Sequence, residues 1–163
     1  MARAKHGLVI IFIVAGVLVA TAAIAGATIR LTNLEPGHDR FQFHGRLTYE
    51  AGTAVVDHGM TIEIRNANGL VFATTLAPHS CVQHGNNYCK FVDQNAGRTH
   101  TGIASFKMSF QKHKIWLTAY GDLSLAAVPR MSVVVRLNGI ASAVIADFAQ
   151  TSNGWVLTNK NWT

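Results

Sequence analysis

Apolar and polar positions alternate with a period of two along most of this chain, the spacing of a half-buried β-strand. In "FQFHGRLTYE", Phe41, Phe43, Leu47 and Tyr49 fall on one face, and Gln42, His44, Arg46, Thr48 and Glu50 on the other. "MTIEIR" sets Met60, Ile62 and Ile64 against Thr61, Glu63 and Arg65. It runs through "NANG" into "LVFATTL", and an Asn-Gly step between two β-rich runs predicts a hairpin. "IASFKMSF" alternates Ala104, Phe106, Met108 and Phe110 with Ser105, Lys107 and Ser109, and "QKHK" forms a polar turn before "IWLTAYGD". "MSVVVRL", Asn138-Gly139 and "ASAVIADF" predict another hairpin, with "GWVL" from Gly154 to Leu157 as a closing strand. About eight to ten short strands with turns at this spacing predict an all-β domain, either a closed barrel or a sandwich. An antiparallel, Greek-key, immunoglobulin-like sandwich is the expected architecture.

The opening segment breaks this pattern. From Gly7 to Ile29 no residue is charged, and at about 1.5 Å per residue such a run is long enough to cross a hydrocarbon core as a helix. Arg3 and Lys5 precede it, so the positive-inside bias predicts a cytoplasmic N-terminus, residues 1–6, and export of the chain beyond Arg30. Two readings stay open: a cleaved signal peptide with Ala23-Ile24-Ala25 as its A-x-A site, or a retained signal anchor over 7–29. In the anchor reading, Gly16, Ala20, Ala23 and Ala27 give a small-residue face for packing against another helix. "LTNLEPGHDR" then predicts a short stalk, residues 30–40, ahead of an extracytoplasmic domain over 41–163. The anchored expectation is a single-pass protein of the inner (cytoplasmic) membrane with a periplasmic domain.

The net charge of +6 changes little once Arg3, Lys5 and Arg30 are assigned to the membrane flanks. Eleven Lys and Arg then face eight Asp and Glu, scattered along the sequence, which argues against a nucleic-acid partner. Anionic lipid headgroups or an acidic partner remain open to such residues.

Candidate chemistry concentrates in "HSCVQHGNNYC", His79 to Cys89, which holds both cysteines. Folding the segment about Gly85 brings Cys81 opposite Cys89, and in an exported domain this predicts a disulfide. The competing reading is a metal site for zinc or copper from His79, Cys81, His84 and Cys89, although the spacing matches no common zinc arrangement. No G-x-S-x-G elbow, phosphate-cradling glycine loop, dinucleotide fingerprint or C-x-x-C pair occurs, so neither an enzyme nor a cofactor is expected. Trp116, Tyr120, Trp155 and Trp162 are candidate interface anchors where they are not half-buried core.

The runs "FQFHGRLTYEAGT", "TIEIRNANGLVFATTLAPHS" and "GIASFKMSF" resemble β-sandwich modules of exported bacterial proteins whose function is unassigned. The resemblance spans roughly Phe41 to Leu137, implies a sandwich of binding or scaffold type, and names no catalytic residue. The chain departs from it in carrying two cysteines in the middle hairpin. The leading functional expectation is an accessory or scaffold subunit of a bacterial membrane complex of energy-transducing or transport type, in contact with other subunits and the bilayer. The alternative is a secreted or anchored binding module for a small ligand, a carbohydrate or a metal such as copper. An enzyme is a distant third.

Overall fold

A computed structural model describes residues 22–32, 39–47, 53–126 and 128–159. Its first strand, β1 (Ala22–Thr32), lies where the sequence predicts a membrane helix. Residues 22–29 of the expected span, and 30–32 of the expected stalk, belong to this strand instead. Asp39 and Arg40, also expected in the stalk, open β2 (Asp39–Leu47). Among the described residues, 22–32 and 39–40 therefore belong to the β-fold together with those from 41 onward. The segment 7–21, with Gly16 and Ala20, and stalk residues 33–38 lie outside the described residues. Among the described residues no helix is long and apolar enough to cross a membrane.

The physical reason is legible in the strand. Ile24, Ala27, Ile29 and Leu31 are buried, while Thr28 and Thr32 are half-buried and Arg30 is exposed. From Ala27 to Thr32 the buried and outward residues alternate one by one, as a strand requires, and the Gly26 bulge brings Ile24 to the buried side as well. Ala27 is core, not a helix-packing position, and Ala23 pairs in register with Ala143.

The remaining elements are, in chain order, α1 (Ala54–His58), β3 (Met60–Asn66), β4 (Gly69–Leu76), β5 (Val82–His84), β6 (Tyr88–Val92) and α2 (Ala96–Thr99). Then come β7 (Gly102–Ser109), β8 (Lys114–Gly121), β9 (Arg130–Leu137), β10 (Ile140–Asp147), β11 (Ala149–Thr151) and β12 (Gly154–Asn159). One layer has the order β4-β3-β9-β10 and ends on the first residues of β1, which pair parallel with β10. The other has the order β5-β6-β7-β8-β2-β1, with β12 on the far side of β1 and β11 beyond it. Every pairing other than β1 with β10 is antiparallel. Pairing passes from one layer to the other between Ala23 and Ile24, and just beyond it Gly26, with a φ of 55°, sits at a register shift between Ala25 and Ala27. A bulge with glycine in the left-handed region bends a strand at little steric cost.

The two layers meet through their apolar faces. Phe41, Phe43, Ile29, Leu31 and Phe106 from one side pack in a common core with Ile62, Ile64, Leu76, Val133 and Val135 from the other. The Phe41 and Phe72 rings, on β2 and β4, lie 5.6 Å apart at 45°. The alternation read in β2 and in β3 appears as buried inward positions, β9 forms the expected hairpin with β10, and the Asn138-Gly139 turn takes φ values of 48° and 76°, as a two-residue hairpin turn requires. In β7 the outcome differs. A bulge between Ile103 and Ser105 turns Ile103 inward in place of Ala104, which buries a larger side chain. The short elements α1, α2, β5 and β11 carry no periodic signal long enough to read.

Cys81 and Cys89 form the disulfide, with Cα atoms 5.7 Å apart. Its register departs from the expected one. Gln83, not Cys81, lies opposite Cys89, because the turn is centred on Asn86 rather than Gly85. The bridge therefore runs diagonally from the residue before β5 and ties this edge strand to its neighbour. Both cysteines are buried. Closing so short a loop is worth about 2–3 kcal/mol on the chain-entropy account. We expect the Cys81→Ser/Cys89→Ser chain to lose about that much unfolding free energy in a urea titration, with β-sheet circular dichroism retained at zero denaturant. An unchanged midpoint would show that the bridge adds nothing to the fold.

Candidate functional site

The second layer has one face in the core and one turned outward. Register fixes which side chains share the outward face: Thr28, Arg30 and Thr32 on β1, Arg40, Gln42, His44 and Arg46 on β2, and Lys114, Trp116, Thr118 and Tyr120 on β8. Ser105, Lys107 and Ser109 on β7 and Tyr88 and Lys90 on β6 continue it. Six cationic residues, Arg30, Arg40, Arg46, Lys90, Lys107 and Lys114, thus stand on one sheet face. No carboxylate among the described residues shares it. Asp39 points inward, where its Oδ2 accepts a hydrogen bond of 2.8 Å from the Leu123 backbone N–H. The charges scattered in sequence are gathered by strand pairing.

The other layer is different in kind. There Glu63 pairs with Arg65 at 3.1 Å and with Arg136 at 3.4 Å, and Asp147 pairs with Arg130 at 3.4 Å. Burial by itself raises the Glu63 carboxyl, but the hydrogen bonds and positive fields of Arg65 and Arg136 outweigh it and hold its pKa below the ordinary value. Cations on that layer are matched locally by acids.

Across the cationic face runs a row of aromatic and basic side chains. His84 stacks on Tyr88 with centroids 4.6 Å apart, and the Lys107 Nζ sits 4.5 Å from the Tyr88 ring and 5.8 Å from that of Trp116. Trp116 stacks on His44 at 5.1 Å and 19°. Two residues further along the strands, the outward positions are shorter and uncharged: Gln42, Thr118 and Ser105. This step down makes a trough. One recess of about 360 Å³ is lined by Thr28, Arg30, Gln42, His44, Ser105, Trp116 and Thr118. A second, of about 290 Å³, shares Arg30 and Gln42 and reaches Arg40, Thr151, Asn153 and Trp155. The Arg40 Nε–H is shielded from solvent and makes no hydrogen bond.

The expected anchors are thereby divided. Trp116 lines the trough from β8. Trp155, in register with buried Leu31, packs against the core and reaches the second recess from β12. Tyr120 also lines a separate groove of about 540 Å³ beside the edge strand β4 and takes an edge contact from His100 at 5.5 Å. Trp162 lies outside the described residues. The expected metal set fails on chemistry: with both sulfurs in the disulfide, Cys81 and Cys89 supply no thiolate to join His79 and His84. Among the described residues no group of His, Cys, Asp and Glu is placed to hold a metal ion. Arg30, Arg40 and Gln42, central to the trough, fall by sequence in a stalk or on a strand face without a site. Their signal is the T-I-R-L-T alternation of β1, hidden behind the apolar run before it.

Comparison with known proteins finds no matching family model, no matching curated protein and no matching solved structure.

His44 lies on the trough wall with its pKa lowered from an ordinary 6.5, chiefly by burial and further by the positive field of Lys114. The unfolded chain therefore takes up this proton first. Stability from the neutral imidazole is held above about pH 6.5 and lost as pH falls through the lowered folded value. A bound anion opposes that shift by favouring the imidazolium. We expect affinity for an anionic ligand to rise as pH is lowered below 6.5, measured by titration calorimetry, and His44→Gln to flatten the rise. An identical pH profile in the variant would remove His44 from the site.

Proposed function

We propose that this chain is an exported, non-catalytic binding domain that captures an anionic ligand on the outward face of the β1–β2–β8–β7 sheet. The observation that carries the reading is the segregation of charge. Arg30, Arg40, Arg46, Lys90 and Lys107 share the trough face with no described carboxylate, while the opposite layer pairs its cations with acids. A sheet face of one sign focuses field and draws oppositely charged partners. Hairpins that alternate between the two layers support a Greek-key, immunoglobulin-like description of the sandwich. Arg3 and Lys5 ahead of an apolar run support export from a cytoplasmic N-terminus into the periplasm.

The accessory-subunit reading loses two of its grounds, since Ala23, Ala27 and residues 30–32 belong to a strand. It stands where the captured anion is an acidic segment of a neighbouring membrane protein, and then the same face makes the contact.

For the full chain in mild detergent, we expect retention on immobilised dextran sulfate that weakens steeply with added salt. Arg30→Glu/Arg40→Glu should cut the affinity at least about tenfold, as expected when two guanidinium contacts become repulsive. Arg130→Glu, on the opposite layer, should leave it unchanged. Equal retention of all three chains would contradict the assignment of the face.

A further inference from the structure

The trough has a chemistry narrower than positive charge. Its floor is the uncharged row Gln42, Thr118 and Ser105, spread over β2, β8 and β7. Amide and hydroxyl side chains each offer both donors and acceptors, which is what a ligand dense in hydroxyl groups requires. The charges stand at the margins instead, with Arg30 at the β1 end and Arg40 two residues along β2 from Gln42. Guanidinium groups present a planar fork that matches a carboxylate with two parallel hydrogen bonds. Arg40 lines the second recess beside Gln42, and its solvent-shielded Nε–H is a buried donor that the protein itself leaves unsatisfied.

The aromatic wall argues in the same direction. Single-stranded nucleic acid needs open ring faces on which bases stack. Here one face of Trp116 lies against His44, and the Lys107 ammonium approaches from the neighbouring strand on the other side. The rings therefore serve as a rigid wall more than as a stacking platform. At about 4.8 Å between strands, the floor and Arg30 span about 14 Å from β1 to β7, room for a chain laid across the strands.

Resting on the anion-capture reading above, we propose that the trough binds an acidic glycan, an extended sugar chain bearing uronate carboxylates. The carboxylates sit on Arg30 and Arg40, and the ring hydroxyls are read by Gln42, Thr118 and Ser105.

The test uses the full chain in mild detergent with four probes: oligogalacturonate, polyglutamate of matched charge, oligothymidylate, and vesicles rich in phosphatidylglycerol. Oligogalacturonate is expected to bind at least about tenfold more tightly than polyglutamate, the difference that hydroxyl recognition supplies. Arg40→Lys keeps the charge and removes the fork. It should weaken oligogalacturonate about tenfold while changing polyglutamate little. Gln42→Ala should weaken oligogalacturonate alone, and undiminished retention of each variant on dextran sulfate shows that the face is still folded. Equal affinity for every polyanion, or a preference for polyglutamate, oligothymidylate or vesicles, overturns the glycan assignment and leaves anion capture standing. No binding of any probe, dextran sulfate included, overturns both.

Discussion

The structure depends on the hydrogen-bonding demand of one interior strand. β1 has neighbours on both sides along Ala27–Thr32, β2 on one and β12 on the other, and before the Gly26 bulge it pairs with β10 of the opposite layer. An interior strand satisfies both of its edges, and removing it would leave two new open edges and orphaned backbone groups. β12 and β11 would then lose their attachment to the sheet, and the link through β1 between the two layers would be gone. Ile29 and Leu31, both essentially without solvent exposure, would leave the core with them.

The same strand builds the cationic face. Because Ile29 and Leu31 point inward, Thr28, Arg30 and Thr32 must point outward. Register then places Thr28 beside His44 and Arg30 beside Gln42, and the next strand brings Trp116 and Thr118 into the same rows. No local motif sets this arrangement. It is a product of the pairing order β1-β2-β8-β7, which collects residues separated by up to about ninety positions in the chain. A face made this way is rigid, since its side chains stand on paired backbone, and it suits recognition of an extended partner better than enclosure of a small one.

Much of this fold is legible in the sequence alone, and the failures have a common cause. The period-two runs at Phe41–Leu47 and Met60–Ile64 identify inward faces because one side of each strand is apolar and the other is not. Asn138-Gly139 identifies its hairpin because few other residue pairs take the backbone that turn needs, whereas in the β3–β4 hairpin the turn falls one residue earlier, on Ala67-Asn68, with Gly69 already paired to Asn66. β1 is masked because its small and apolar first half, Ala22–Ala27, continues an uncharged run that starts at Gly7, and length outweighs the alternation of its second half. The cysteine pairing is as expected while its register is not, since a turn of Gly85, Asn86 and Asn87 can be centred on more than one residue. The cationic face is invisible in the sequence for a more basic reason. Sequence shows which charges share a strand face, but only the strand order shows which strands are neighbours.

Whether residues 22–32 form the shared strand of the sandwich or the end of a membrane helix decides the rest, and one cross-linking measurement separates the two. Thr28 and Thr158 are register partners on β1 and β12. In the full chain, with Thr28→Cys and Thr158→Cys introduced together, mild oxidation should form an intramolecular disulfide quickly. Each single variant should instead label with a water-soluble maleimide. No cross-link, together with a Cys at position 28 that stays unlabelled in the intact membrane, would contradict the account and return this segment to the bilayer.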